Sequence, residues 1–434
     1  MNKNNKIISP REVSLLIWEN VFYKNIKFNY EFDNNLFLKS LNQKDRSFVY
    51  FLISLCLRRN KQIKKIFSQY IIKNIGRDKK VLASILTLGT AEIIWLRTPN
   101  HAILYNYVEL TKKLAGKHFS GFINAVLRKI TNDKEIKQKI FNNSTENLPE
   151  YLRSQWINFY GEKSVNEFSD LIMREPYLDL ICSKKITLDE KKKLISSIRG
   201  KEIYPNVIRS FYKGKISSIQ GYENGYWWIQ DIGSYIQFEI LLKKIFKTFQ
   251  NCSLKNLNLL DLCSAPGGKT IQILDNEMNV FSVEKNLSRI NIMNRNLSRL
   301  KLKSKIICQD ASTIRTKKYF DVILIDAPCS STGTIRKNPD ILLRSHPSNL
   351  KKIIETQMKI LSNAKNLLKT NGLLMYVVCS LEKNEGEKVI LEFCRKNKNF
   401  KIDHICDSEI NIKNSSIITS DGFLRILPNS LVFS

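Results

Sequence analysis

Apolar residues recur at helical spacing through the first part of the chain. Within residues 13–18 and 48–55 they lie three or four positions apart, which collects them on one face of a helix. Residues 81–96 carry almost no charge but are too few to cross a bilayer, so they predict a buried helix. Prolines and glycines divide this region into helices of ordinary length. The pattern predicts an all-helical domain over residues 1–141.

The pattern becomes mixed after that domain. Residues 142–147 are polar and predict a linker. Residues 151–160 again have helical spacing, whereas Leu178–Cys182 is a short apolar run typical of a strand. We therefore expect a linker followed by a small α+β module over residues 142–225.

The last part of the chain, residues 226–434, follows a third pattern. Short apolar runs that end in small or acidic residues alternate with helical segments, which is typical of a parallel α/β sheet of the Rossmann-like kind. In such a sheet, ligands bind at the carboxyl ends of the strands. The predicted strands are residues 257–263, 280–284, 305–310, 320–329 and 373–380.

The first of these strands runs into a glycine-rich turn and then a helix, over residues 261–270. This arrangement brings backbone amides close to a nucleotide-like ligand. A phosphate-binding P-loop is excluded, because Cys263 stands where that motif requires its first glycine. The dinucleotide pattern G-x-G-x-x-G is also absent. Taken alone, the segment is also compatible with a tight turn that binds nothing.

Two carboxylates favour the interpretation that the glycine-rich turn binds a ligand. Glu284 ends the next strand about 20 residues beyond the turn, where an acidic side chain accepts hydrogen bonds from ribose hydroxyls. Asp310 ends the third strand, a position suited to an adenine amino group. Together with the turn they predict an adenosine-bearing cofactor. Because a pyrophosphate fingerprint is missing, S-adenosylmethionine fits better than NAD.

Two further strands end in cysteines that are each followed by serine, Cys329 and Cys379. Strand ends of one sheet share a crevice, so we expect both thiols to point into it. A thiolate is the side chain best suited to add to C6 of cytosine, which makes C5 nucleophilic enough to take a methyl group. A second group must then remove the C5 proton. Asp326 is placed to hydrogen-bond N3 or the exocyclic amine of an unstacked base.

Composition adds the class of partner. The 434 residues contain 70 Lys plus Arg against 40 Asp plus Glu, a formal charge of +30, which favours a polyanion such as nucleic acid. A chain rich in Lys, Asn and Ile throughout is also what an AT-rich genome produces, so the charge alone is a weak argument. Nine cysteines without a C-x-x-C pair, with only four histidines, predict neither a zinc site nor a disulfide framework. Free thiols and the lack of an apolar leader predict a cytoplasmic protein without a membrane segment.

These motifs resemble those of the RNA cytosine-C5 methyltransferases of the Sun/Fmu class, over residues 221–387. The resemblance implies an S-adenosylmethionine-binding Rossmann-like fold. It also implies that Cys379 is the nucleophile and that Cys329 takes part in proton removal and product release. The positions that the resemblance assigns to the cofactor are Cys263, Ser264, Ala265, Pro266, Gly267, Gly268, Lys269, Glu284, Asp310 and Asp326.

The front of the chain resembles a different protein, the antitermination factor NusB. Residues 88–92, 99–103, 108–113 and 116–128 carry this likeness. A NusB-like domain ahead of such a catalytic domain is similar to members of the class that modify small-subunit ribosomal RNA. The likeness implies that the substrate is a cytosine of 16S rRNA, which the protein meets before the small subunit is fully assembled. It also implies that the helical domain and the α+β module bind RNA. The protein is then expected to be a monomer that needs no metal. Two alternatives stay open: a cytosine in a tRNA or another rRNA, and a non-catalytic NusB-like RNA-binding protein.

Overall fold

The computed structural model describes residues 8–71, 79–136, 144–250, 252–412 and 417–430. These described residues divide into two compact units: one comprises those up to residue 175 together with 334–346, and the other comprises those within 176–333 together with those after residue 346. The predicted border between residues 141 and 142 lies outside the described residues, and the border at residue 225 stays a prediction. Within the described residues, every helix is too short or too polar to cross a membrane.

The first unit is helical, as its spacing of apolar residues predicts. Its first helix begins where the Ser9 side chain accepts a hydrogen bond from the Glu12 amide, with Pro10 at the first helical position. The helices are α1 (Pro10–Phe22), α2 (Phe28–Asn34), α3 (Leu36–Ser40), α4 (Gln43–Ser68), α5 (Lys80–Trp95), α6 (Asn100–Leu114), α7 (Ser120–Asn132) and α8 (Glu150–Ile172).

The predicted buried helix over residues 81–96 is confirmed as α5, and the predicted helix over 151–160 lies within α8. Helix α5 also carries a buried charge. Glu92 is fully buried and accepts hydrogen bonds from the Arg11 guanidinium and from the Tyr107 hydroxyl, the latter at 3.0 Å. A buried carboxylate is tolerated when a cation and further donors satisfy its oxygens, so these contacts tie α1, α5 and α6 together.

A short segment from late in the chain, residues 334–346, also belongs to this unit. It contains one helical turn, Ile341–Arg344. The Arg336 guanidinium donates to the Glu175 carbonyl at 2.8 Å, and the Arg58 guanidinium donates to the Arg336 carbonyl at 2.7 Å. The Asp340 carboxylate accepts the Phe28 amide at 3.4 Å. We call residues 334–346 the return segment.

The second unit begins with a four-stranded antiparallel sheet in the order β2-β3-β1-β4. The predicted strand Leu178–Cys182 is confirmed as β1. Helix α9 begins at a capping box formed by Thr187 and Glu190, and its apolar residues cover one face of the sheet. The elements are β1 (Leu178–Cys182), α9 (Leu188–Ser197), β2 (Lys201–Tyr204), β3 (Val207–Ser210) and β4 (Trp227–Ile229).

The rest of the second unit is a parallel five-stranded sheet in the order β7-β6-β5-β8-β9, flanked by helices. Each predicted strand is present, with ends shifted by a few residues. The strands are mostly buried, which explains their continuous apolar runs. The elements are α10 (Ile232–Thr248), β5 (Asn258–Leu262), α11 (Gly268–Asp275), β6 (Asn279–Glu284), α12 (Leu287–Arg299), β7 (Lys305–Cys308), β8 (Phe320–Asp326), α13 (Pro347–Ala364), β9 (Leu368–Val377) and α14 (Glu387–Lys396).

The strand order reverses direction between β5 and β8, because β6 and β7 lie on one side of β5 whereas β8 and β9 lie on the other. The carboxyl edge of a doubly wound sheet opens into a crevice at such a switch point. All of the predicted site residues lie at the carboxyl ends of these strands, follow those ends, or begin the helix after β5.

Candidate active site

The two motif cysteines come from neighbouring strands. Cys329 follows β8 after a short turn, and Cys379 follows β9. Asp326 and Val377 are partners in the register of the two strands, so both chains leave the sheet at the same level. The Cys329 and Cys379 sulfur atoms lie 3.2 Å apart. Cys379 is exposed and Cys329 is partly buried, so the first of the two is the more accessible to a ligand.

Hydrogen bonds join the two cysteine loops directly. The Gly333 amide donates to the Cys379 carbonyl at 3.0 Å, and the hydroxyls of Ser330 and Ser380 lie 3.0 Å apart. A Cβ atom at position 333 would come within 3.1 Å of the Cys379 carbonyl oxygen, which is tighter than an ordinary contact. Glycine therefore permits the close approach of the two loops.

A buried carboxylate, which the sequence analysis did not identify, holds both loops. Glu385 is fully buried. It accepts hydrogen bonds from the Ser330 amide at 2.7 Å, the Ser380 hydroxyl at 2.8 Å and the Gln357 side-chain amide at 3.4 Å. In the sequence it lies in a charged stretch after β9, where carboxylates usually face solvent. The only sequence feature that could have indicated Glu385 is its position six residues after Cys379, and this position does not distinguish it from the other charged residues nearby.

The two thiols differ in acidity. The pKa of Cys379 is lowered, mainly because the Cys329 thiol donates a hydrogen bond to its sulfur. The Ser331 hydroxyl, 3.4 Å away, and the Lys269 charge act in the same direction, whereas burial and Asp326 oppose them. The pKa of Cys329 is raised well above its ordinary value by the same hydrogen bond, by burial and by nearby negative charge. Cys379 therefore ionises before Cys329.

The glycine-rich turn lies at the end of the adjacent strand β5. Gly267 has a φ of +103°, and a Cβ there would come within 2.9 Å of the Met293 Cγ atom. The Gly267 amide donates to the Ser264 carbonyl at 2.9 Å, and the Ser264 amide donates to the Val283 carbonyl at 3.1 Å. The turn is thereby fixed against β6, with α11 beginning at Gly268.

Buried charges connect the turn to the cysteine loops. The Lys269 ammonium is buried and lies 2.7 Å from the Asp326 carboxylate. Beneath the turn, burial raises the pKa of Asp261 to about 7, although the Thr270 hydroxyl donates a hydrogen bond to it. The Asp261 Oδ1 atom has no hydrogen-bond partner in the part of the chain that the structure describes. Burial also raises the pKa of Cys263 to about 12, which keeps that thiol neutral.

The other two predicted carboxylates lie on the same edge of the sheet, Glu284 as the last residue of β6 and Asp310 just after β7. Glu284 is buried, pairs with Arg289 at 3.0 Å and accepts the Asn286 amide at 3.0 Å. Asp310 is half exposed, and its pKa is lowered chiefly by hydrogen bonds from the Ser312 hydroxyl and amide. The structure thus brings the turn, Glu284, Asp326 and both cysteines to one sheet edge, with Asp310 at the outer strand. Among the described residues, no cluster of His, Cys, Asp and Glu suits a metal ion.

Comparisons with known proteins match both parts of the chain. Residues 253–431 match the family model "16S rRNA methyltransferase RsmB/F", and residues 9–132 match the model "NusB family". A protein of Proteus mirabilis called "Ribosomal RNA small subunit methyltransferase B" is 27% identical over 409 residues, which cover 90% of this chain and 92% of the relative. A Coxiella burnetii protein called "Probable ribosomal RNA small subunit methyltransferase B" is 28% identical over 385 residues, 82% of this chain and 84% of the relative. The crystal structure of PH0851 has the same fold, with a TM-score of 0.71 at 16% identity over 92% of each chain.

The hydrogen bond between the thiols predicts a specific pH dependence. Because the Cys329 thiol stabilises the Cys379 thiolate, Cys329→Ala should raise the pKa of Cys379, so that its alkylation by iodoacetamide begins at a higher pH. Cys329→Ser retains an O–H donor and should shift the profile less. The rate of Cys379 alkylation against pH, followed by peptide mass spectrometry, measures both effects. Identical profiles for the alanine variant and the unmodified protein would contradict the assignment.

Glu385 should contribute to the stability of this site. Glu385→Ala leaves the Ser330 amide and the Ser380 hydroxyl without their acceptor, which should cost about 1–3 kcal/mol of unfolding free energy. Glu385→Gln keeps an acceptor oxygen and should cost less. It also removes a negative charge that raises the pKa of Cys329, so alkylation of Cys329 should begin at a lower pH.

The matched control is Glu387→Gln, two residues away, where the carboxylate pairs with Arg425 instead of the cysteine loops. Chemical denaturation and thiol alkylation are measured on all three variants. If Glu387→Gln shifted the Cys329 profile as much as Glu385→Gln, the effect would not belong to the bonds of Glu385.

Proposed function

We propose that this chain, whose residues 253–431 match the 16S rRNA methyltransferase RsmB/F model and whose residues 9–132 match the NusB family model, methylates C5 of a cytosine in 16S rRNA. These matches, and the small-subunit rRNA methyltransferases to which the chain is similar, support the assignment to S-adenosylmethionine-dependent rRNA methyltransferases. The observation that carries the finer proposal is the pair of sulfur atoms 3.2 Å apart beside the glycine-rich turn. Two thiols of unlike acidity are what addition to C6 and subsequent release require.

The residues at the sheet edge fit S-adenosylmethionine. The turn from Cys263 to Lys269 offers backbone amides, and Glu284 is an acceptor fixed for the ribose hydroxyls. Asp310 suits the adenine amino group. The unpartnered Asp261 Oδ1 atom marks a buried acceptor beneath the turn. When bound there, S-adenosylmethionine supplies the electrophilic methyl group.

The first step assigned to the protein is nucleophilic addition. The Cys379 thiolate forms a bond to C6 of cytosine, and the electron pair of the C5–C6 double bond moves so that C5 becomes nucleophilic. The Asp326 carboxylate, paired with Lys269, is a hydrogen-bond acceptor and therefore suits the exocyclic amine rather than N3. C5 then takes the methyl group and carries one proton in excess.

The second step removes that proton. Before the reaction, the thiolate of Cys379 keeps the pKa of Cys329 high. Once Cys379 is bonded to C6, its charge is gone and it accepts no charge-assisted hydrogen bond, so Cys329 releases its proton to water more easily and becomes a thiolate. The Cys329 thiolate takes the C5 proton, the C5–C6 double bond re-forms, and the Cys379–C6 bond breaks. The alkylation of one sulfur thus activates the other.

The target cytosine must lie outside an RNA helix, because base stacking covers both faces of the ring and blocks access to C5 and C6. Ribosomal RNA before complete subunit assembly offers such bases, in the cytoplasm. The net charge of +30 supports binding to its phosphates, and we propose that the protein acts as a monomer.

The nucleophile assignment has a direct test. Cys379→Ala should abolish methylation, because the neighbouring thiol, Cys329, is more buried, and its burial and the Glu385 charge raise its pKa. Bisulfite sequencing of total RNA from cells with the gene, without it, and with each variant measures the methylated cytosines. Cys308→Ala, which changes an exposed cysteine at the last position of β7, is the matched control and should leave methylation unchanged. If the methylated cytosine lies in a tRNA or another rRNA, the proposed mechanism stands and the proposed substrate is wrong. If the Cys379→Ala variant methylates fully, the proposed mechanism is wrong.

The release step has its own signature. Cys329→Ala removes the group that takes the C5 proton, so the bond between Cys379 and C6 should persist. We expect a protein–RNA adduct that survives denaturing electrophoresis and disappears in the Cys329→Ala, Cys379→Ala double variant. If no adduct forms although Cys379 is required for methylation, Cys329 does not have this role. Binding of S-adenosylmethionine without methylation of any RNA would favour a non-catalytic RNA-binding protein.

A further inference from the structure

One end of the four-stranded sheet carries an aromatic pair, the half-buried Tyr177 and the exposed Phe211. Asp179 and Arg209 are partners in the pairing of β1 with β3, so their side chains share a face. Tyr177 and Phe211 stand two residues from them and continue the alternation on that face. The two ring centroids lie 4.4 Å apart, and Phe211 is 64% exposed.

The remainder of this face is already used for packing. Ile181, Val207 and Trp228 are buried together with residues of α10. The aromatic pair therefore lies beyond the covered part of the sheet, and Phe211 adds little to the core. Its exposed ring is accessible to a ligand.

A fixed cation lies beside the pair. The Arg209 guanidinium bonds both Asp179 oxygens, at 2.7 Å and 2.9 Å, and its central carbon is 4.8 Å from the centroid of the Tyr177 ring. This geometry orients the guanidinium plane and the Tyr177 ring without further loss of side-chain freedom on binding.

The surroundings are basic. Lys201 is the partner of Arg209 in the pairing of β2 with β3, so it borders the same face. Lys213 and Lys215 follow Phe211 in the next turn, and all three lysines are exposed. The acidic member of the paired strands on this face, Asp179, is already bonded to Arg209. Aromatic rings with surrounding cations complement the bases and phosphates of RNA.

We propose that Tyr177 and Phe211, with the flanking Arg209 and lysines, bind a single-stranded segment of the RNA substrate by stacking an unpaired base on Phe211. The inference rests on the proposed function, because that function makes RNA the ligand. Stacking needs a base that is free of its helix, so single-stranded RNA is bound in preference to a duplex. The stack supplies affinity without sequence preference, since every base has an aromatic face.

The test uses the full chain and an unstructured 12-nucleotide RNA labelled for fluorescence anisotropy. Phe211→Ala should weaken binding about tenfold, whereas Phe211→Trp, which retains an aromatic face, should stay close to the unmodified protein. Phe246→Ala is the matched control, because Phe246 is 54% exposed in the same unit but lies on α10. Its affinity for the RNA should not change.

Salt dependence separates stacking from charge. Phe211→Ala should leave the slope of log Kd against log salt unchanged, while the Lys213→Ala, Lys215→Ala double variant should reduce its magnitude by about one to two. Unchanged affinity in Phe211→Ala, an equal loss in Phe246→Ala, or equal affinity for a duplex of the same sequence would each overturn the proposal.

The two proposals fail separately. If Cys379→Ala abolishes methylation but Phe211→Ala binds the RNA normally, the stacking surface is wrong and the proposed function stands. If Phe211→Ala weakens binding but no cytosine is methylated by the unmodified protein, the surface stands and the catalytic assignment is wrong.

Discussion

Everything at the candidate site depends on two parallel strands that end at the same level. The register pairs Asp326 with Val377, and the chains leaving β8 and β9 bring two sulfur atoms within 3.2 Å. At that distance a proton between them is shared unequally, and the thiols take opposite acidities. A shift of one residue in the register would turn the side chains of a whole strand to the other face. The unequal acidity of the two thiols therefore depends on the pairing of β8 with β9 as well as on the cysteines themselves.

Sheet pairing alone does not fix the loops beyond the strands. The buried Glu385 does so by accepting hydrogen bonds from the residue after each cysteine. Its charge is expensive to bury, and three donors offset that cost. The same charge disfavours ionisation of Cys329 and leaves Cys379 as the thiol that ionises first. One carboxylate therefore acts on geometry and on acidity together.

Local sequence patterns were sufficient to predict much of this structure. Alternating apolar runs predicted the strands of the parallel sheet, and the turn and cysteines were recognisable because their chemistry depends on residues close in sequence. The role of Glu385 was not predictable, since it depends on contacts to Ser330 and Gln357, which lie 55 and 28 residues away. The aromatic pair of Tyr177 and Phe211 is likewise formed by strand pairing. Local sequence patterns predict secondary-structure elements, whereas contacts between residues far apart in the sequence require the three-dimensional structure.

The return segment shows the same limit and has a consequence for the whole chain. Residues 334–346 follow the Cys329 loop in sequence, yet they belong to the helical unit. Arg58 is buried there, and burial lowers its pKa to about 10. Its guanidinium is satisfied by the carbonyls of Ile172 and Arg336. A fragment that lacked the return segment would leave this buried cation with one of these acceptors missing, and a fragment of residues 176–434 would carry Arg336 without its partners. The two compact units therefore do not correspond to two continuous lengths of the chain that could be separated by a single cut.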